Sequence, residues 1–311
     1  MVLVYVRRES LLAVLGSVAI DTIELPCAVE EERLGGSGTF AALAAVLFHK
    51  PVSLIGIIGG DFPQKYIKLL NERGVQTDGI VRRDDISSFK WHGRYEQNLN
   101  RRETVSVTHE ILMGFDPVVK GATSKADVVL LGNSAPSIQK KVLEQIPERR
   151  LVILDTMDIW IKNNKEELFS LFGLVDILLI NDDEARLIYN EWNLVRVIER
   201  IREMSGVRCV IIKRGAEGVI AFLGGEYIAL PAYPLSDVYD PTGAGDTFAG
   251  ALAGCLANER RLDCRTLKKS LAYATVTASF CCQTCGADRF ARVSREDVDK
   301  RFACLREMVC F

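Results

Sequence analysis

The stretch Asp240-Pro241-Thr242-Gly243-Ala244-Gly245-Asp246-Thr247-Phe248-Ala249-Gly250 decides how the chain is read. A glycine-rich turn runs straight into the apolar, small-residue segment Phe248–Ala257, which reads as a helix. Pro241 fixes the entry, and Gly243 and Gly245 admit backbone angles that a Cβ resists. The start of a helix carries unpaired N–H groups that attract negative charge. Asp246 stands among them, which leaves two readings. The segment is a capped tight turn, or a site where a carboxylate base and oxyanion donors move a phosphoryl group onto an alcohol. A Walker-type phosphate loop is excluded, because no Gly-x-x-x-x-Gly-Lys-Ser/Thr occurs in the chain.

Outward from this turn, short apolar runs alternate with amphipathic stretches, the pattern of a largely parallel sheet covered by helices. Strands are expected at Leu12–Ile20, Val52–Ile58, Asp127–Gly132, Leu151–Asp155, Asp176–Ile180 and Arg208–Lys213. Gly224-Gly225 marks a hairpin turn between Val219–Phe222 and Glu226–Leu230. Helices are expected between these strands and through the C-terminal third, at Thr247–Ala257, Cys264–Cys281 and Ser294–Met308. Residues 81–112 break the alternation. Lys90–Tyr95 and Glu103–Thr108 have the composition of strands exposed on one face, suited either to a lid over a cleft or to a plain surface excursion.

Four further segments carry candidate site groups, three of them at the ends of predicted strands. Asp21 follows Gly16-Ser17-Val18-Ala19-Ile20 and can accept two hydroxyl hydrogen bonds, or simply cap the strand end. Gly35-Gly36-Ser37-Gly38-Thr39-Phe40-Ala41 contains Gly-x-Gly-x-x-Ala, with Asp61 about twenty residues on, as in a dinucleotide fingerprint. The preceding Glu30-Glu31-Glu32-Arg33 is too charged to be the buried strand that this fingerprint requires. Asn181-Asp182-Asp183-Glu184 either caps a helix or helps to hold a cation. Lys213-Arg214-Gly215-Ala216-Glu217-Gly218 makes a glycine turn after another strand.

In this order the motifs resemble the PfkB (ribokinase-like) family of carbohydrate and nucleoside kinases, from about residue 12 to 300. The resemblance implies a single ribokinase-like α/β domain over residues 1–311. Its mainly parallel central sheet is flanked by helices, and a small β-sheet lid forms from about 22–34 and 81–112. It implies Asp246 as catalytic base, with Gly243, Ala244 and Gly245 stabilising the transferring phosphate. Asp21, Gly35, Gly36, Gly38 and Phe40 would bind the acceptor; Lys213, Gly215, Gly218 and Thr242 would bind the nucleotide. Asn181 and Glu184 would organise Mg²⁺ through water, and Asp240 would hold a monovalent cation such as K⁺. The adenine wall would fall at Leu271–Cys281 and Gly286, where Cys281-Cys282 is unusual. Many sugar-binding members carry Asn where this chain has Phe40; in that respect it resembles the inositol-kinase branch. The implied activity is ATP-dependent phosphorylation of a small sugar or polyol. Alternatives are a nucleoside kinase, for which Phe40, Trp91 and Tyr95 offer stacking surfaces, and a non-catalytic sugar- or nucleotide-binding regulator. A cytoplasmic homodimer joined through the lid is the implied assembly.

Composition agrees with this class. The chain has 311 residues and a net charge of −2, which points to neither nucleic acid nor an acidic membrane as partner. No apolar run approaches the roughly 18 residues needed to span a bilayer. Arg7-Arg8 before Leu11–Leu15 imitates a signal segment, but the run ends by Ile20-Asp21 and suits a buried first strand. Of nine cysteines, Cys282 and Cys285 have the spacing of a metal or redox half-site, yet no second pair stands at the matching distance.

Overall fold

The computed structural model of the protein describes residues 10–26, 28–96, 99 and 102–310. Arg7, Arg8 and Cys27 lie outside these residues. The chain opens with β1 (Leu12–Leu15), β2 (Ala19–Leu25), β3 (Ala28–Gly35), α1 (Ser37–Ala45) and β4 (Val52–Gly59). Next come α2 (Gln64–Arg73), β5 (Val75–Gln76), β6 (Ile80–Arg83), β7 (Phe89–Tyr95), β8 (Arg102–Thr108) and the single turn α3 (Glu110–Met113). The middle of the chain alternates β9 (Val128–Leu131), α4 (Pro136–Glu144), β10 (Leu151–Asp155), α5 (Asp158–Asn163), α6 (Lys165–Phe172) and β11 (Ile177–Asn181). It continues through α7 (Asp182–Tyr189), α8 (Leu194–Ser205), β12 (Cys209–Lys213) and the hairpin of β13 (Val219–Leu223) and β14 (Glu226–Leu230). Helices α9 (Ala244–Ala257), α10 (Cys264–Cys281), α11 (Ala287–Phe290) and α12 (Arg295–Val309) complete it.

The main sheet has ten strands in the order β14-β13-β12-β11-β10-β9-β1-β4-β5, with β6 also paired to β4. Pairings from β12 across to β5 and β6 are parallel, and β13 and β14 add antiparallel at the far edge. Its central strands are buried along their whole length, as in Leu-Ala-Val-Leu of β1 and Val-Val-Leu-Leu of β9. Strands covered on both faces need no polar alternation. Leu12, Val14, Val128, Leu130, Ile177 and Leu179 enter the core on one face; Ala13, Leu15, Val129, Leu131, Leu178 and Ile180 enter the core on the other. Helices α1, α9 and α10 cover the first face. Helices α1 and α9 are apolar nearly all round because each is packed on several sides.

The second sheet is the lid, in the order β3-β2-β7-β8. Its boundaries differ from the sequence expectation in two places. The expected strand Leu12–Ile20 divides: β1 ends at Leu15, where its partners β4 and β9 stop matching it, and Ala19 onwards pairs with β3 and β7 instead. Ile80–Arg83, overlapping the start of the 81–112 segment, pairs with β4 in the main sheet and is not part of the lid. Strand β3 is exposed along much of its length, as the charges of Glu30–Arg33 require, and this agrees with the exclusion of a dinucleotide fingerprint.

Candidate active site

Parallel pairing brings the carboxyl ends of β1, β10, β11 and β12 to one edge of the sheet; strand order reverses at β1, with β9 to β12 on one side of it and β4 on the other. Asp155 ends β10, Asn181 ends β11 and Lys213 ends β12, with Asn181 and Lys213 direct partners across the ladder. The first turn of α9 faces the same edge and carries Asp246. Gly243 is the N-cap of this helix with φ of 78°, in the left-handed region that a side chain resists. Thr247 N donates to Gly243 O at 2.8 Å, so the first-turn amides of Gly245 and Asp246 precede the regular helical ladder.

Lys213 reaches this turn. A Cβ placed on Gly245 would stand 3.3 Å from Lys213 Nζ. The ammonium donates to Asp155 Oδ1 at 2.9 Å and Oδ2 at 3.1 Å. Burial alone would lower the Lys213 pKa, but the carboxylates of Asp155, Glu184 and Asp246 outweigh it and hold the group protonated above its ordinary value. Burial drives Glu184 the other way, up to about 7, with Lys213 opposing the rise. Asn181 and Glu184 form a reciprocal capping box at the start of α7: Glu184 N donates to Asn181 Oδ1, and Asn181 N to Glu184 Oε2, both at 2.8 Å. The capping reading of this motif is therefore realised in the structure, and Glu184 Oε1 is not used by the box. Among the described residues no cluster of three or more His, Cys, Asp or Glu could hold a metal directly. One buried carboxylate with an oxygen outside the cap fits a hydrated Mg²⁺, an ion that keeps most of its waters.

The expected acceptor residues converge from the other side. Asp21 is 4% exposed, and a Cβ on Gly35 would lie 1.8 Å from its Oδ2, so only glycine leaves room for the carboxylate there. Gly36 caps α1, and Gly38 N donates to Ser17 O at 3.0 Å, which packs the start of α1 tightly onto the end of β1. Phe40 is buried in the same helix, and its ring occupies the space where a Cβ on Gly243 would fall. It supports the α9 turn from beneath instead of offering an open stacking face.

Gly215 and Gly218 shape the turn from β12 to β13, where Arg214 N donates to Gly218 O at 2.8 Å. Within that motif Lys213 is the residue that reaches the site. Asp240 is fully buried; its Oδ1 accepts from Thr242 N at 2.8 Å, while Oδ2 finds no hydrogen-bond partner. Burial pushes its carboxyl up. A buried carboxylate oxygen left over in this way fits a monovalent cation. Cys281 and Cys282 have a structural part here: Cys282 O accepts from Tyr239 N and Asp240 N, and Cys281 Sγ donates to Thr242 O at 3.3 Å. The described cysteines are all free thiols.

The lid closes onto this loop. Tyr95 and Thr242 share a buried hydroxyl–hydroxyl hydrogen bond of 2.8 Å. Arg33 pairs with Asp288 at 2.6 Å, and Glu30 binds both Arg289 and the Tyr239 hydroxyl at 3.0 Å. The sequence gives no sign of these ties, since each joins residues more than a hundred positions apart. Nor does it single out Asp155 as a site residue; the position of this carboxylate at the end of a predicted apolar strand is the available signal.

The comparisons with known proteins agree with this architecture. Residues 10–292 match the pfkB family carbohydrate kinase profile. The cytidine kinase of Thermococcus kodakarensis is 28% identical over 263 residues, covering 81% of this chain and 90% of that protein. The bifunctional protein HldE of Campylobacter jejuni is 25% identical over 291 residues; the match takes 90% of this chain but only 60% of the relative's length. The Arabidopsis thaliana ribokinase complexed with ribose and ATP superposes with a TM-score of 0.76 at 21% identity, over 94% of this chain and 99% of that one. No helix among the described residues is long and apolar enough to cross a membrane. With a parallel sheet, a lid and a glycine turn at the head of α9 all in family order, the chain belongs to the pfkB family of carbohydrate kinases and is a phosphotransferase acting on an alcohol group.

Proposed function

We propose that the protein transfers the γ-phosphoryl group of ATP to a hydroxyl on a sugar ring, with Asp246 as the base. The observation that carries this reading is the α9 turn itself, which gathers Asp246, first-turn amides and the Lys213 ammonium at one edge of the sheet. Asp21, beside the bare Cα of Gly35, accepts hydrogen bonds from acceptor hydroxyls and orients the ring. Asp246 takes the proton of the attacking hydroxyl, the oxygen bonds to phosphorus, and ADP leaves. The amides around Gly243 and Gly245 stabilise charge on the transferred group, Ala244 N already donating to Pro241 O at 3.2 Å. Mg²⁺, when bound, neutralises phosphate charge, and Asn181 and Glu184 are the residues to hold its water shell. Asp240 Oδ2, left without a hydrogen-bond partner, would be a ligand oxygen for K⁺.

ADP release from Mg·ATP across pentoses, hexoses, cyclitols and nucleosides tests this reading. Asp246→Asn is expected to abolish turnover with nucleotide binding retained; a fully active variant would remove Asp246 from the role of base.

A second reading, in which the acceptor is a nucleoside, has a specific observation in its favour. Trp91 is paired with Asp21 in the β2–β7 register, so the two lie on the same face of the lid. Its indole lies over Gly93, where a Cβ would meet Cη2 at 2.0 Å, and it is only partly buried. A flat, partly open indole beside the sugar-binding carboxylate suits a planar base. Faster turnover of cytidine than of ribose, reversed in Trp91→Ala, would support this choice; equal use of both would refute it.

A further inference from the structure

We propose that Asp155 is a positioning residue: it holds the Lys213 ammonium as a built-in cation for the terminal phosphate of the nucleotide. The inference rests on the reading that transfer occurs at the first turn of α9. Both carboxylate oxygens of Asp155 are engaged by one ammonium, at 2.9 and 3.1 Å, across 58 residues of sequence. Both side chains are largely buried, Asp155 at 5% and Lys213 at 16% exposed, and Lys213 Nζ is the member of the pair that comes up against the α9 turn, 3.3 Å from where a Cβ on Gly245 would stand. In front of it lies Gly245, an exposed residue whose missing side chain leaves the approach to Nζ open. Two of the three ammonium protons are committed to Asp155, and the third is available to a phosphate oxygen beside the α9 amides. A purely structural ion pair gains nothing from facing a helix start. It also carries a desolvation penalty that apolar residues at the same two positions would avoid. Asp155→Asn would let the flexible Lys213 stem swing away while Asp246 and the amides stay in place.

The test compares binding of Mg·β,γ-methylene-ATP and Mg·ADP by calorimetry, which needs no acceptor. The parent protein is expected to favour the triphosphate. Lys213→Met should reduce that preference about tenfold or more, the size of one hydrogen bond to a charged group. Asp155→Asn should lose most of the same preference, and the double variant should be no worse than Lys213→Met alone. Melting temperatures report any structural loss separately, and Lys213→Gln replaces Lys213→Met if the latter does not fold. An unchanged preference in folded single variants, or losses that simply add in the double variant, would overturn the assignment. Asp246→Asn is expected to keep the preference, so failure of the base assignment and failure of this one give different results.

Discussion

Gly250 of α9 lies so close to Ala41 of α1 that a Cβ on the glycine would stand 2.0 Å from the Ala41 carbonyl oxygen. One turn on, Gly254 repeats the contact against Ala45. This bare seam sets the spacing between the helix that carries Asp246 and the helix that begins at the Gly35–Gly38 loop. Gly250→Val would force the two apart, and overpacking of this kind costs about 1–3 kcal/mol. The expected result is a lower melting temperature together with a fall in kcat, measured by thermal unfolding and steady-state ADP release. Full activity in a folded Gly250→Val protein would show that the spacing does not matter to turnover.

Glu184 gives the fold a pH dependence of definite sign. Burial raises its carboxyl from the ordinary 4.5 to about 7. Between those values the folded protein binds more protons than the unfolded chain, so stability falls as pH rises through that window. Glu184→Gln should flatten the slope, read from denaturant unfolding as a function of pH. If Glu184 serves a hydrated Mg²⁺, Mg·ATP should raise the melting temperature more above about pH 7 than below it in the parent protein, and less so in the variant.

Tyr95 ties the lid to the loop that leads into α9. Tyr95→Phe removes one half of the 2.8 Å bond to Thr242 and leaves a buried hydroxyl to find another partner. A cost of about 1 kcal/mol is expected, read as a rise in acceptor KM of roughly fivefold, because the proposed function sets the acceptor at Asp21 on the lid sheet. An unchanged KM would mean that lid and loop move independently.

Much of this site is legible in the sequence. Gly243, Gly245 and Asp246 stand out because a tight turn and a helix start are local events, set by residues that are neighbours in the chain. The same holds for the Gly224-Gly225 hairpin and for α10 and α12, whose bounds match or nearly match expectation. The asparagine–glutamate box at 181 and 184 is legible too, as a cap, for the same reason.

What tertiary structure decided is where strands end and which charges meet. Nothing in Leu12–Ile20 marks Leu15 as the end of β1; that end is imposed by β4 and β9, while β3 and β7 claim the residues from Ala19. By residue type and position Phe40 is a candidate for ligand contact, but α9 packs over it. The pairing of Asp155 with Lys213 and of Tyr95 with Thr242 likewise depends on strands and helices brought together from distant parts of the chain. Sequence alone determined the local geometry, because turns and caps are satisfied by groups a few residues away. The depth of burial, the company of each charge and the reach of each side chain required the packed fold, because those energies come from neighbours that only folding supplies.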